Sequence, residues 1–326
     1  MNILVVGGGS IGERHARCFS KINGIKVSIC EPYEKKLKDL KEKYSFDKYY
    51  KDFADIKLDY FTGVIIATPP NLHVPMAIKA AKNGCHLMIE KPLSLNLRGI
   101  SQLKKVIKAK RLVCGVAYIL RHFPCLNRIK TLLSEECIGR ILSIRAKVGS
   151  FFPGARPDYK KIYFAKKVMG GGVILDYSHE SNYLEWLVGR VKEVSCFYDT
   201  LSLDVETEDI AVMLLRFSSQ IIGEIHINCF QKDDSRTLEI IGDKGTITCD
   251  LIRGRVGLYR GDKGCWKYFN DPCQRDNVFI MQAENFIRAI NGKEDIKTTL
   301  EEGVGTLKVC MAARESADTD RVIRIR

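Results

Sequence analysis

The sequence predicts an α/β protein in two parts: a doubly wound parallel sheet over residues 1–119, then an α/β domain over 120–326 with an open, mostly antiparallel sheet. Three observations carry this reading. The chain begins with an apolar strand, a glycine turn and a helix; short apolar runs then alternate with helical stretches as far as residue 118; beyond residue 120 most segments read as strands. At 326 residues, 45% hydrophobic and 28% charged, the chain is long enough for two cores and has ordinary globular usage, which excludes fibre and disorder.

Ile3, Leu4, Val5 and Val6 form an uninterrupted apolar run, the pattern of a strand covered on both faces. Gly7, Gly9 and Gly12 follow in G-x-G-x-x-G spacing. The first glycine allows the sharp turn, the second lets backbone approach a pyrophosphate, and the third lets the helix pack on the strand. The helix opening at Ser10 and Ile11 is expected to bury Ile11, Phe19 and Ile22 and to stop near Gly24. Residues 27–30 give the next strand, ending at Glu31. An acid about twenty residues beyond the glycines suits the ribose hydroxyls of NAD and repels a 2′-phosphate. Lys35 and Lys36 lie close enough in sequence to serve such a phosphate, so NADP stays open beside NAD.

A helix through Leu37 and Leu40 precedes a strand at 64–68, which stops at Thr68, Pro69, Pro70, Asn71, Leu72 and His73. A helix over 74–83 is expected, with Pro75 in its first turn and Gly84 past its end. A strand at 86–90 delivers Glu90, Lys91 and Pro92; a helix at 97–110 and a strand at 112–118 complete the alternation. Ligands of such sheets bind at the carboxyl ends of strands, where Thr68 and Lys91 stand.

After residue 120, a helix at 126–133 and a strand at 140–148 lead to a loop rich in proline, glycine and aromatics. Gly170, Gly171 and Gly172 then introduce one helix running to Gly189. Strands are expected at 191–197, 210–217, 221–230, 237–241, 246–251 and 256–259, with a hairpin turn at Asp243, Lys244 and Gly245. Ile225 and Ile227 alternate with Glu224, His226 and Asn228, so one face of that strand is polar. Helices over 278–291 and 300–318 close the chain, the second opened by the capping box Thr299 to Glu302.

Twelve cysteines are scattered without any C-x-x-C, which fits small buried hydrophobes in a reducing compartment better than disulfides or a metal site. No apolar run is long enough for a membrane span, and a cytoplasmic protein is expected. The formal net charge of +13 is spread over helix surfaces such as 35–43 and 104–110, without a recognition helix or aromatic platform; a nucleic-acid partner is not expected. The basic balance agrees with an acidic small molecule.

Two features carry chemistry. Lys91, fixed between Glu90 and Pro92, can donate to a hydroxyl and favour its alkoxide. Asp176, His179, Glu180 and Tyr183 fall at i, i+3, i+4 and i+7, a polar stripe on an otherwise apolar helix, and imidazole is suited to taking a proton near neutral pH. Taken singly, the lysine would be a surface charge and the histidine a satisfied core residue. His73 reads as shaping the cofactor loop, and His15, His86 and His226 as uninvolved.

Together the first glycine turn, Ala67 to His73, Glu90-Lys91-Pro92 and the triple glycine followed by Asp176 and His179 resemble the glucose-fructose oxidoreductase / inositol dehydrogenase / MocA (Gfo/Idh/MocA) family over essentially the whole chain. The resemblance implies an N-terminal Rossmann domain, a C-terminal α/β domain whose open sheet makes dimer or tetramer contacts, and reversible oxidation of a sugar or cyclitol hydroxyl with NAD or NADP. It also implies Lys91 and His179 as the catalytic pair. Asp176 departs from the usual pattern, with two residues rather than three before the histidine, and Asn182 stands where an aspartate is frequent. The run from Asp176 to Glu180, with Tyr118, Arg121 and Pro124, is similar to a branch associated with surface-sugar and nonulosonate pathways.

The expected function is hydride transfer between nicotinamide and a carbinol carbon. His179 would be the general base, Lys91 would polarise the oxygen, and Asp176 would assist. Tyr118, Arg121, Arg156, Tyr163 and Tyr183 would contact substrate, and Gly7, Gly9, Ser10, Ile11, Gly12, Glu31, Thr68, Pro69, Pro70, Asn71, His73, Glu90 and Lys91 would hold the cofactor. The competing expectation is a sensor of the same fold that binds dinucleotide or sugar without turnover.

Overall fold

From the N-terminus the computed structural model, which describes residues 1–325, runs β1 (Asn2–Val6), α1 (Ser10–Phe19), β2 (Lys26–Cys30), α2 (Glu34–Lys43), β3 (Lys48–Tyr50), β4 (Gly63–Ile66), α3 (Pro70–Lys82), β5 (His86–Ile89), α4 (Ile100–Lys110) and β6 (Cys114–Val116). All six strands are parallel, in the order β3-β2-β1-β4-β5-β6. The order reverses about β1, which creates the crevice at the carboxyl ends of β1 and β4 where doubly wound sheets take ligands. β1, β4 and β5 are apolar because helices cover both faces of the sheet.

α1 ends at Phe19, short of Gly24, so Ile22 lies outside the helix and Ile11 is only half-buried. Its buried stripe is Gly12, His15, Ala16 and Phe19, at i, i+3, i+4 and i+7. Gly12 belongs there for a steric reason: a Cβ would overlap the carbonyl oxygen of Gly7. α3 starts at Pro70, four residues before the expected position, because Pro70 itself supplies the favoured first-turn proline; Pro75 then sits inside the helix.

A second unit follows, comprising 120–273 and 305–326. It contains α5 (Pro124–Ser134), β7 (Ile141–Phe151), α6 (Phe152–Ala155), α7 (Val173–Asp176), α8 (His179–Val188), β8 (Val191–Asp199), β9 (Ile210–Phe217), β10 (Ile222–Asn228), β11 (Phe230–Gly242), β12 (Gly245–Asp250), β13 (Arg255–Arg260) and β14 (Cys265–Asn270). With a short terminal strand, Ile323–Arg324, these form a nine-stranded sheet; only β7 and β10 pair in parallel. Three strands lie beyond the expectation, β3, β14 and Ile323–Arg324; all are at sheet edges, where no alternating pattern is required.

The remaining segment, 274–304, groups with the first unit, whereas the sequence analysis assigned it to the second. α9 (Arg275–Ile290) packs on α1: Phe286 meets Phe19 edge-on at 6.2 Å, and Ala283 and Phe286 join the core around Ile3, Val5, Ile29 and Ile65. Asp276 at its start accepts from Arg17 and lies 3.3 Å from Arg14 Nε. α10 (Leu300–Thr319) opens with the expected box: Thr299 N donates to Glu302 Oε2 at 2.8 Å, and Glu302 N to Thr299 Oγ1 at 3.2 Å.

All twelve cysteines are free, nine of them buried. Among the described residues there is no cluster able to hold a metal ion and no helix long and apolar enough to cross a membrane.

Two outcomes are expected. Gly12→Ala should lower the thermal midpoint and abolish NADH binding by fluorescence titration, because the added methyl cannot be accommodated without lifting α1 from β1. Arg17 holds the Asp276 carboxyl below the usual carboxylate range. A depressed folded-state pKa gives stability that is present above the unfolded value of about 3.9 and is lost as pH falls through the folded one. Asp276→Asn should therefore remove part of the acid-side decline in the urea midpoint below about pH 4; an unchanged profile would count against the pairing.

Candidate functional site

In the first unit, Gly7 leaves β1 with φ at +98°, and its N–H donates to Cys30 O at 2.9 Å, tying the turn to the end of β2. A Cβ at Gly8 would strike Leu40 and Glu31, whereas the Cβ position of Gly9 meets only Lys36 Nζ, at 3.8 Å. The turn is therefore packed from behind and open at Gly9, where backbone must approach a pyrophosphate. Ser10 is exposed and Ile11 half-exposed at the start of α1.

Glu31 is 3% exposed. Its Oε2 accepts from Gly8 N at 2.7 Å and its Oε1 from Tyr33 N at 3.0 Å. Each oxygen keeps a further lone pair, so the carboxylate remains competent to accept from ribose hydroxyls. Glycine turn, acid and a helix N-terminus with no side-chain cap together fit a dinucleotide.

At the end of β4, Thr68 is half-exposed and Pro69 and Asn71 are exposed, whereas Pro70 and His73 are buried. His73 bridges two strand-end loops, its Nε2 lying 2.7 Å from Thr68 O and its Nδ1 2.9 Å from Pro92 O. Burial pushes the imidazole pKa down, while the two carbonyls and the Glu90 carboxylate oppose it.

Lys91 stands at the carboxyl end of β5, before a cis peptide to Pro92. Its N–H donates to Glu90 Oε2 at 2.9 Å, and Glu90 Oε1 lies 2.7 Å from His15 Nε2. His15, set aside in the sequence analysis, is thus the residue that connects the glycine-turn helix to the lysine. The signal was available: it lies on the buried stripe three residues after Gly12, where a polar side chain needs a partner.

In the second unit, Gly170 and Gly172 have φ of +78° and +98°, and Cβ atoms at Gly171 and Gly172 would overlap the Phe164 carbonyl and the Glu208 carboxylate. The expected single helix is broken: α7 ends at Asp176 and α8 starts at His179, with Tyr177 and Ser178 between. The break separates the polar stripe. Asp176 accepts from Tyr163 OH, and Tyr177 OH lies 2.7 Å from Ser150 Oγ, so α7 is held to the preceding loop and to β7. His179, 9% exposed, occupies the first turn of α8.

Glu180 turns the other way. It is fully buried and accepts from both Arg236 Nε at 2.8 Å and Nη2 at 2.9 Å, a bidentate pair joining α8 to β11 that no local spacing reveals. Tyr183 is 0% exposed and Tyr118 1% exposed. Arg121 is buried with its guanidinium 4.4 Å over the Trp186 ring, and Asn182 donates to Thr306 Oγ1 at 3.0 Å. Arg156 and Tyr163 are half-exposed, the more open of the substrate candidates.

Residues 1–118 match the oxidoreductase family with an NAD-binding Rossmann fold, and residues 126–248 match the GFO/IDH/MocA C-terminal domain. The chain is 27% identical to myo-inositol 2-dehydrogenase of Thermotoga maritima, covering 100% of this chain and 98% of that protein. It is 30% identical to D-xylose dehydrogenase of Paenarthrobacter nicotinovorans, covering 96% and 91%. Levoglucosan dehydrogenase in complex with NADH superposes with a TM-score of 0.92 at 21% identity, over 100% of this chain and 99% of that one, a likeness of fold. With its glycine turn, its acid at the end of β2 and both family domains matched in order, the chain belongs to the Gfo/Idh/MocA oxidoreductases and carries an NAD-binding Rossmann domain.

Proposed function

We propose that this oxidoreductase interconverts a hydroxyl and a carbonyl on a sugar, sugar acid, nucleotide sugar or cyclitol. The observation that carries the reading is the linked set His15, Glu90 and Lys91 at the same carboxyl end of the parallel sheet as the glycine turn. It fixes the Lys91 backbone beside the nucleotide site, and an ammonium carried there is what stabilising a developing alkoxide requires. The inositol and xylose dehydrogenases among the relatives support the substrate class.

When bound, NAD supplies the hydride acceptor and NADH the donor. Gly9 and the first turn of α1 hold its pyrophosphate, Glu31 accepts from its ribose, and Thr68, Pro69 and Asn71 border it. Lys91 donates to the substrate oxygen and lowers the cost of its negative charge. His179 takes the hydroxyl proton in oxidation and returns it in reduction. Asp176, through Tyr163, shapes the loop that carries Arg156, whose guanidinium suits a carboxylate or phosphate on the substrate. That preference agrees with the nonulosonate and surface-sugar context read from the sequence, and a cytoplasmic location goes with it.

A panel of sugars, cyclitols, sugar acids and nucleotide sugars, followed by NADH absorbance, tests the reading. Lys91→Ala and His179→Asn should each lower kcat by roughly 10²-fold or more with NADH affinity retained. An NADH-binding protein inert across the panel would instead be a sensor.

Phe197, Leu214, Ile222 and Ile241 lie on one face of the nine-stranded sheet by register and are 74%, 54%, 45% and 39% exposed. These exposed apolar side chains, which stand among Arg145, Arg216 and Glu224 on the same face, support a homodimer or homotetramer. Leu214→Glu should reduce the mass seen by light scattering; an unchanged mass would remove that face from the assembly.

A further inference from the structure

A cavity of about 680 Å³ opens in the second unit between α5 and the β13–β14 hairpin, within the roughly 300–1,000 Å³ typical of small-molecule sites. It is lined only by residues from 124–137 and 258–271, none of which belongs to the candidate catalytic set. The hairpin register brings its cations to one face: Leu258 pairs with Lys267 and Arg260 with Cys265, so all four side chains share the side that meets α5. Leu132 and Leu258 give the cavity an apolar floor.

Its charged groups divide into two kinds. Arg128 is fixed, bidentate on Asp271 and 4.8 Å over the Phe269 ring, and Arg260 is held by Asp262 at 2.7 Å and 3.0 Å. Lys263 and Lys267 are in no ion pair among the described residues; the Lys267 ammonium rests 4.9 Å from the Phe269 centroid. With Asp262 counted beside its Arg260 partner, the four cations Arg128, Arg260, Lys263 and Lys267 stand against three carboxylates, Glu135, Asp262 and Asp271, a surplus of one positive charge carried by the two lysines. Rigid arginines, two uncommitted ammonium groups and an apolar floor make a concave surface complementary to a compact polyanion with an organic body.

We propose that this cavity is a second ligand site, separate from the dinucleotide turn, for a small polyanion bearing phosphate or several carboxylates. Calorimetry on the NADH-saturated protein tests it, with pyrophosphate as the phosphate probe and citrate as the carboxylate probe at fixed ionic strength. NADH keeps pyrophosphate off the glycine turn. One of the two should bind once per chain and weaken at least tenfold in Lys263→Ala/Lys267→Ala, whose two changes are at exposed positions and should leave the melting temperature unchanged. The cavity also holds its own reporters, exposed Cys265 and half-exposed Cys137, so the bound probe should slow alkylation of Cys265 relative to Cys273, read by peptide mass spectrometry. Pyrophosphate binding alone identifies a phosphate ligand and citrate alone a carboxylate one. Failure of both probes to bind, or equal binding by the double variant, would overturn the proposal without touching the dehydrogenase reading, which rests on Lys91 and His179.

Discussion

The absence of one methyl group at residue 12 sets the rest of the first unit. Because α1 can approach the Gly7 carbonyl so closely, its buried stripe places His15 beside Glu90, and Glu90 in turn holds the backbone N–H of Lys91. The nucleotide turn and the proposed proton-polarising lysine are thus not independent loops that happen to be neighbours. They are two ends of one packed contact, joined through a histidine 1% exposed and a carboxylate with both oxygens engaged. A buried polar network of this sort is stable only when complete, which favours a fixed geometry at the strand end.

The second unit solves a similar problem with charge. Glu180 is buried without any exposed surface, and an unpaired carboxylate there would be costly; its bidentate bond to Arg236 compensates the desolvation and pins the first turn of α8 to β11. His179 precedes Glu180 directly, so the ion pair limits how the histidine backbone can move. Asp176, across the break at Tyr177 and Ser178, is anchored to a different element through Tyr163. Two close-packed glycines, Gly171 and Gly172, make room for this arrangement by letting the chain pass against Phe164 and Glu208.

Much of this was legible in the chain itself, and the limits have physical causes. Buried parallel strands, the glycine turn, the acid after β2 and the capping box at Thr299 depend on local pattern, and local pattern is what a sequence displays. The helix break after Asp176 was hidden because the i, i+3, i+4, i+7 spacing looks the same whether or not a turn interrupts it. Pro70 and His73 are motif residues whose burial only packing reveals. Tyr183 and Tyr118 are polar in type yet interior in place, and Arg236 meets Glu180 across 56 residues of chain. The allegiance of α9 could not be read either, since its apolar stripe fits any core, and only Phe19 and Asp276's arginine partners decide which one.

That allegiance has a bearing on how the polypeptide is made. The hydrophobic centre of the nucleotide-binding unit contains Ala283 and Phe286, which a ribosome supplies only after residues 120–273 of the second unit. Until then the emerging N-terminal portion carries Phe19 and its neighbours without their cover, exposed to chaperones or to premature association. Completion of the first unit therefore waits on a segment made after most of the second, and a fragment stopped at residue 119 would lack a wall of its own interior.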